Sequence, residues 1–305
     1  MNFLFVDRIT ALQSNVATSG IKHVSADDYY LTQDTSGRWC FIPSLVGETL
    51  GQLAAWNVMS SCDFEKRPVA GYVGEVIMHR PAYLGETVVL NTQIESVDDA
   101  GVHYHGQAYV GDALIVELNG AVGPFLSMSD FIDKSVVQRQ FDEIYRPWGV
   151  EKPIDSAVMG QAASLLREWN SPSSRSAPMQ FDAIIEHEPL TRMVAEKHVT
   201  RAAAFFADHF PHKPVLPMSV LMEYFVNLAD IFLAQAQDVK PLRVHQLQRI
   251  KMNDFIYPGD VVTASMSLKK PAADGASLTL ACRAEVAGRR VAVLEIICKE
   301  DGIIQ

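Results

Sequence analysis

The chain repeats itself. "IKHVSADDYYL" (Ile21–Leu31) is similar to "EKHVTRAAAFF" (Glu196–Phe206), and His23 and His198 stand 198 − 23 = 175 positions apart. The same offset sets Tyr30 on Phe205, Glu48 on Glu223 and Leu53 on Leu228. Further on, "AYLGETVVL" matches "FIYPGDVVT", with Gly85 and Gly259 offset by 174. A register held over about sixty residues makes two homologous halves, and few folds are built twice in one chain.

The halves read alike. An extended start leads into a loop, then into a helix predicted over Val46–Met59 in one half and Ser219–Ala236 in the other, from apolar residues at 3–4 spacing. Strand-like runs follow each helix: "VVLNTQIESV", "GVHYHGQAYV" and "ALIVELNGAV", then "VVTASMSL", "SLTLACRAEV" and "RRVAVLEIICK". The turn signals "DDAG", "VGD", "ADG" and "AGRR" separate them. One long helix followed by an antiparallel meander predicts an α+β layer in which the sheet wraps the helix. Trp39, Phe41 and Trp56 are expected in the core.

Between the halves, the offset finds no counterpart. "SPSSRSAP" (Ser171–Pro178) reads as an exposed linker. The stretch before it, with Phe141, Tyr145, Trp148 and "AASLLREW", reads as an amphipathic arm packed on the body. The expected division is 1–126, a connecting arm over 127–178, and 179–305.

Composition narrows the function. A net charge of −10 argues against general nucleic-acid binding, which needs basic surface. Cys40, Cys62, Cys282 and Cys298 form no CxxC pair, and His103 and His105 share a strand face without an acidic or cysteine ligand nearby. No metal is expected. The start "MNFLFVDRIT" lacks a basic n-region and no apolar run is long enough to span a membrane, so a cytoplasmic protein is expected.

The segment that points to chemistry is "HFPHKPVLPMSVLME" (His209–Glu223). It resembles the active-site segment of the β-hydroxyacyl-(acyl carrier protein) dehydratases, the FabA/FabZ group: HFPG, then a Met-Pro-Gly turn, then an apolar helix bearing Glu or Asp. "FLFVDRI" (Phe3–Ile9) is similar to that family's N-terminal "LLVDRV", "YPGD" (Tyr257–Asp260) to its "PGD" turn, and "ETLGQLAAW" (Glu48–Trp56) to its "EAMAQ" helix. Because the resemblance touches both halves, it implies a double hotdog. It also departs from the pattern, with His212 and Met218 where the family has glycines.

The chemistry explains the residue types. Dehydrating a 3-hydroxyacyl thioester removes an α-proton, a task for a neutral imidazole, and protonates a departing hydroxyl, a task for a carboxylic acid kept neutral by burial. The family takes these two groups from different hotdogs. The resemblance therefore implies that His209 works with Glu48, and that Glu223 faces the counterpart of His209, which subtraction places at Asp34. Backbone N–H groups at Met218–Ser219 would hold the enolate oxygen. Glu223 shares a helix face with Asn227 and Asp230, either a solvated stripe or a polar seam between the halves.

His212 and Lys213, with Arg249 and Lys251, would rim a basic entrance for a phosphopantetheine arm. No cofactor is implied beyond that arm, which belongs to the substrate. The implied partners are acyl carrier protein or a coenzyme A thioester, with a second copy or a related dehydratase subunit possible at exposed sheet edges. Two other functions stay open: a hotdog acyl-thioesterase, and a silent subunit that supports a partner dehydratase, which the replaced glycines favour.

Overall fold

The two halves meet in one sheet. The computed structural model describes residues 3–147, 179–234, 242–269 and 277–300. The first half contains β1 (Arg8–Gln13), β2 (Ala17–His23), β3 (Leu31–Gln33), β4 (Trp39–Phe41), α1 (Pro43–Ser61), β5 (Lys66–Pro68), β6 (Tyr72–Met78), β7 (Ala82–Tyr83), β8 (Thr87–Val97), β9 (Gly101–Val110) and β10 (Ala113–Ser127). After α2 (Lys134–Ile144), the second half contains β11 (Ala183–Glu188), β12 (Arg192–His198), α3 (Met218–Leu233), β13 (Leu242–Met252), β14 (Val261–Leu268), β15 (Ser277–Val286) and β16 (Arg289–Glu300).

The large sheet runs β1-β2-β8-β9-β10-β6-β13-β16-β15-β14-β12-β11. Its second six strands mirror its first six: β11 answers β1, β12 answers β2, and so on to β13 beside β6 at the centre. There the two halves pair antiparallel, Ile77 opposite Gln246 and Val73 opposite Ile250. β2 and β12 are the same stretch of the repeat, ending at His23 and His198. This is the double hotdog, two helices wrapped by antiparallel strands. Its edge strands are β1, bridged at Ile9 by Tyr145, and β11, which is exposed at all six residues.

Both helices begin at equivalent positions, Pro43 and Met218, a few residues from where the apolar spacing alone places them. Proline suits the first helical position because its missing N–H has no intrahelical partner to lose. α1 buries Leu45, Val46, Leu50, Leu53, Ala54, Trp56, Val58 and Met59, so it is apolar around its circumference, as a helix enclosed by a sheet must be. Trp56 and Phe41 are buried and Trp39 packs partly buried against them.

The halves differ in one segment. β3 and β4 form a hairpin that pairs with β7. The matching stretch of the second half is a turn of 3-10 helix (Ala204–Ala207) and an irregular loop down to Pro217. That loop bears His209. On the connecting arm, Phe141 of α2 packs on Trp56 and Phe64, with ring centroids 6.0 and 5.5 Å apart. Trp148, "AASLLREW", "SPSSRSAP", the "ADG" turn and the end of the second predicted helix lie outside the described residues.

One polar side chain anchors α1. Asn57 is fully buried; its Nδ2 donates to the carbonyls of Gln13 and Ala17, both at 3.0 Å, and its Oδ1 accepts from Asn15 N–H at 2.7 Å. Asn57→Ala removes these bonds from a fully buried position and is expected to cost about 2 kcal/mol. The check is a lowered urea midpoint at unchanged m-value.

Candidate active site

α1 and α3 face one another across a cavity of about 390 Å³ that both halves wall. From the first half come Gly47, Glu48, Gly51 and Tyr104, and from the second His209, Met218, Ser219 and Met222. His209 and Glu48 thus meet in one space, although 161 residues of sequence separate them (209 − 48). Both lie deep in the molecule, yet they keep some accessible surface because they border the cavity.

His209 is oriented by its own loop. Its Nδ1 lies 3.0 Å from the carbonyl oxygen of Val215. A carbonyl can only accept, so Nδ1 carries the proton and Nε2 keeps its lone pair. Burial, with the nearby Arg67 charge adding to it, pushes the imidazole pKa down to about 4, so the ring is neutral at pH 7. It stacks on Phe210 at 4.0 Å between centroids and meets Phe3 edge-on at 5.7 Å.

Glu48 is held by both halves. Gln52, one turn along α1, donates from Nε2 to Oε1 at 3.1 Å, and Ser219 of the other half donates from Oγ to Oε2 at 3.0 Å. Gln52 is itself locked: its amide nitrogen also donates to Phe3 carbonyl at 3.1 Å, and its oxygen accepts Phe5 N–H at 2.9 Å. The "FLF" start of the chain is therefore a clamp on the acid. Burial raises the Glu48 pKa, and the bonds from Gln52 and Ser219 restrain the rise without cancelling it.

Met218 and Ser219 are the first two residues of α3, so their N–H groups have no intrahelical acceptor and sit at the positive end of the helix. Ser219 is 6 % exposed. An oxygen in the cavity beside them would find donors already in place.

The repeat is broken at the second acid. Glu223 is buried beside Ser44, as Glu48 is beside Ser219, but among the described residues neither the Ser44 hydroxyl nor Glu223 Oε2 has a partner at hydrogen-bond distance. Asn227 reaches its other oxygen only at 3.5 Å. Burial pushes this carboxyl up to about 7, and Glu223 does not line the cavity. It is part of a buried seam and not of a solvated stripe. Repeat register explains the asymmetry. Gly47 and Gly51, which leave room along α1, correspond to Met222 and Val226 on α3. Even at Gly51 a methyl group would come within 3.2 Å of the Tyr104 hydroxyl.

Neither Asp34 nor Glu223 lines the cavity that holds His209 and Glu48. Asp34 sits in the β3–β4 turn, accepting from Ser36 and Arg38 N–H at 2.9 Å each and from the Tyr83 hydroxyl at 2.9 Å. Partial burial tends to raise its pKa, but these bonds outweigh that and hold it below the usual carboxylate range.

Lys213 reaches the cavity wall, its Nζ 4.7 Å from the ring centre of Phe255, a lining residue. His212 is exposed, its N–H bonded to Phe131 carbonyl at 2.9 Å. Arg249 pairs with Glu295 at 3.2 Å on the sheet surface, and Lys251 is exposed. His105 bonds Glu95 at 3.0 Å and Gln93 at 2.8 Å. Among the described residues no three His, Cys, Asp or Glu side chains group as metal ligands, and no helix is long and apolar enough to cross a membrane.

Sequence reading missed Arg67, which lines the cavity and stacks on Phe210 with Cζ 4.1 Å from the ring centre. Nothing in "FEKRPVAG" signals this, because the contact is made by a ring from the other half.

A neutral imidazole and a carboxyl whose pKa burial raises share one cavity of a double hotdog. Residues 186–289 match the family described as ApeI-like, ApeI dehydratase, and this stretch contains His209 and α3. The 3-hydroxyacyl-[acyl-carrier-protein] dehydratase FabZ of Ruminiclostridium cellulolyticum is 36% identical over 84 residues, 27% of this chain and 59% of that protein. FabZ of Chlamydia trachomatis serovar L2 is 31% identical over 99 residues, 31% of this chain and 65% of that protein. The chain thus spans 59% to 65% of the length of these relatives.

The resemblance to the FabA/FabZ-like dehydratases is real. Two solved structures share the fold over almost the whole chain. The putative oleoyl thioesterase of Lactobacillus plantarum has a TM-score of 0.58 at 12% identity, covering 95% of this chain and 99% of that one. The dehydratase domain of PpsC from Mycobacterium tuberculosis has 0.54 at 12%, covering 98% of each.

Proposed function

We propose that the chain is a 3-hydroxyacyl-thioester dehydratase with one active site, assembled from His209 of the second half and Glu48 of the first. The observation behind this reading is one cavity that holds both groups, the imidazole neutral at pH 7 and the carboxyl's pKa raised by burial. His209 Nε2 takes the proton from C2 of the substrate. The electron pair left behind forms the C2–C3 double bond, the C3–O bond breaks, and Glu48 delivers its proton to the departing hydroxyl, which leaves as water. Transfer of the proton from His209 back to Glu48 resets the site. The N–H groups of Met218 and Ser219 hold the thioester oxygen as negative charge builds on it. His212 and Lys213 greet the phosphopantetheine arm of an acyl carrier protein or coenzyme A; Arg249 and Lys251 are at most an outer basic field.

Ser219 favours the ionised form of Glu48. Ser219→Ala is therefore expected to move the alkaline limb of the kcat/KM profile to higher pH, with a rate loss of about tenfold or less, checked by a pH–rate series.

The reading is tested by following hydration of a trans-2-enoyl thioester on carrier protein and on coenzyme A, with thiol release monitored alongside. Hydration without thiol release is expected. Thiol release that survives His209→Ala would make the chain a thioesterase. Silence with every chain length would favour the supporting-subunit reading, which the side chains of His212 and Met218 in place of glycines recommend.

A further inference from the structure

Arg67 is a half-buried cation that the dehydration chemistry above does not use. It lines the cavity with His209 and Glu48, yet makes no ion pair among the described residues. Its contacts are soft: the face of Phe210, and Met59 Sδ at 3.9 Å from Nη1. Its Nε is buried with no partner. The three acids that line the cavity are committed elsewhere: Glu48 to Gln52 and Ser219, Asp208 through Oδ2 to Phe3 N–H at 2.9 Å, and Asp254 to Arg289 at 2.8 Å. A guanidinium in that state is a fork of donors awaiting an oxygen ligand.

Distance says where that ligand comes from. Arg67 Cζ is 4.1 Å from the Phe210 centroid, which is 4.0 Å from the His209 centroid, so Cζ lies at most 8.1 Å from the imidazole centre. A carrier phosphate is a whole pantetheine arm away from a thioester held at His209. A group on the acyl chain, a few carbons beyond the reacting centre, can reach. Arg67 also borders a second cavity of about 210 Å³, which shares Gln52 and Asp208 with the first and leaves room for a chain end.

We propose that Arg67 binds an anionic oxygen group on the acyl chain, so that the preferred substrates are 3-hydroxyacyl thioesters whose chains end in a carboxylate. The proposal rests on the thioester reading of the site, and a binding measurement separates the two because it needs no turnover. Adipyl- and hexanoyl-coenzyme A match in carbon count, and neither has a β-hydroxyl to eliminate. Their dissociation constants are measured by calorimetry on the full chain, with thermal denaturation to show that each variant is folded.

Wild type is expected to bind adipyl-coenzyme A about ten- to a hundredfold tighter than hexanoyl-coenzyme A. Arg67→Met should remove or reverse that ratio, and Arg67→Lys should keep part of it. Equal binding by wild type, or a ratio that survives Arg67→Met, overturns the proposal and leaves the thioester reading standing. Failure of both ligands to bind overturns the proposal, and hydration of an enoyl group on carrier protein then decides the thioester reading separately.

Discussion

Replacing His209 by alanine is expected to lower kcat for enoyl-thioester hydration by about 10³-fold while the fold is kept, since general-base loss has effects of this order. The signature is in the pH profile. A base must be unprotonated, and the His209 imidazole is protonated only below about pH 4. Wild-type kcat/KM should therefore hold through pH 5 and fall on an acid limb near 4. The residual activity of His209→Ala should lack that limb. Glu48 gives the opposite limb: an acid must hold its proton, so activity falls as pH rises past its elevated pKa. A limb near the ordinary histidine value would mean that another group is the base.

The second large effect concerns stability. Glu223 titrates at about 7 in the folded chain against 4.5 ordinarily, because it is buried. A raised carboxyl pKa means that between these values the folded state holds a proton the unfolded state has lost. The stability present below 4.5 is lost as pH rises to 7, on the order of 3 kcal/mol. Glu223→Gln is neutral throughout and escapes this loss. Relative to wild type, the variant should gain about 3 kcal/mol between pH 4.5 and pH 8, read from urea midpoints. Comparing variant with wild type is essential, because His209 acts in the opposite direction: its lowered pKa adds stability as pH rises from about 4 towards 6.5. A difference independent of pH would show that Glu223 is not the buried acid described here.

Much of this was legible beforehand for definite reasons. The 175-residue offset exposed the two hotdogs because strands, helix starts and buried positions are the same solution used twice. The pairing of His209 with Glu48 was implied by the resemblance to the FabA/FabZ group and not by the repeat alone, and one cavity holds both residues. Asp34 shows the limit of that subtraction: position 34 corresponds to 209 by number, but the first half folds there into a hairpin whose turn binds the carboxylate. The empty side of the cavity was written in Gly47 and Gly51 against Met222 and Val226, which matters only once α1 and α3 are known to face each other. Arg67 had no local signal at all, since its stacking partner, Phe210, belongs to the other half.

The central claim is one site made across two halves, and the most direct test compares the two helix acids. Glu48→Gln and Glu223→Gln are assayed side by side for hydration of the same trans-2-enoyl thioester. Loss of about 10²-fold or more is expected for Glu48→Gln, with Glu223→Gln close to wild type. If Glu223→Gln abolishes turnover and Glu48→Gln does not, His209 works with the acid of its own half and the cross-half site is wrong.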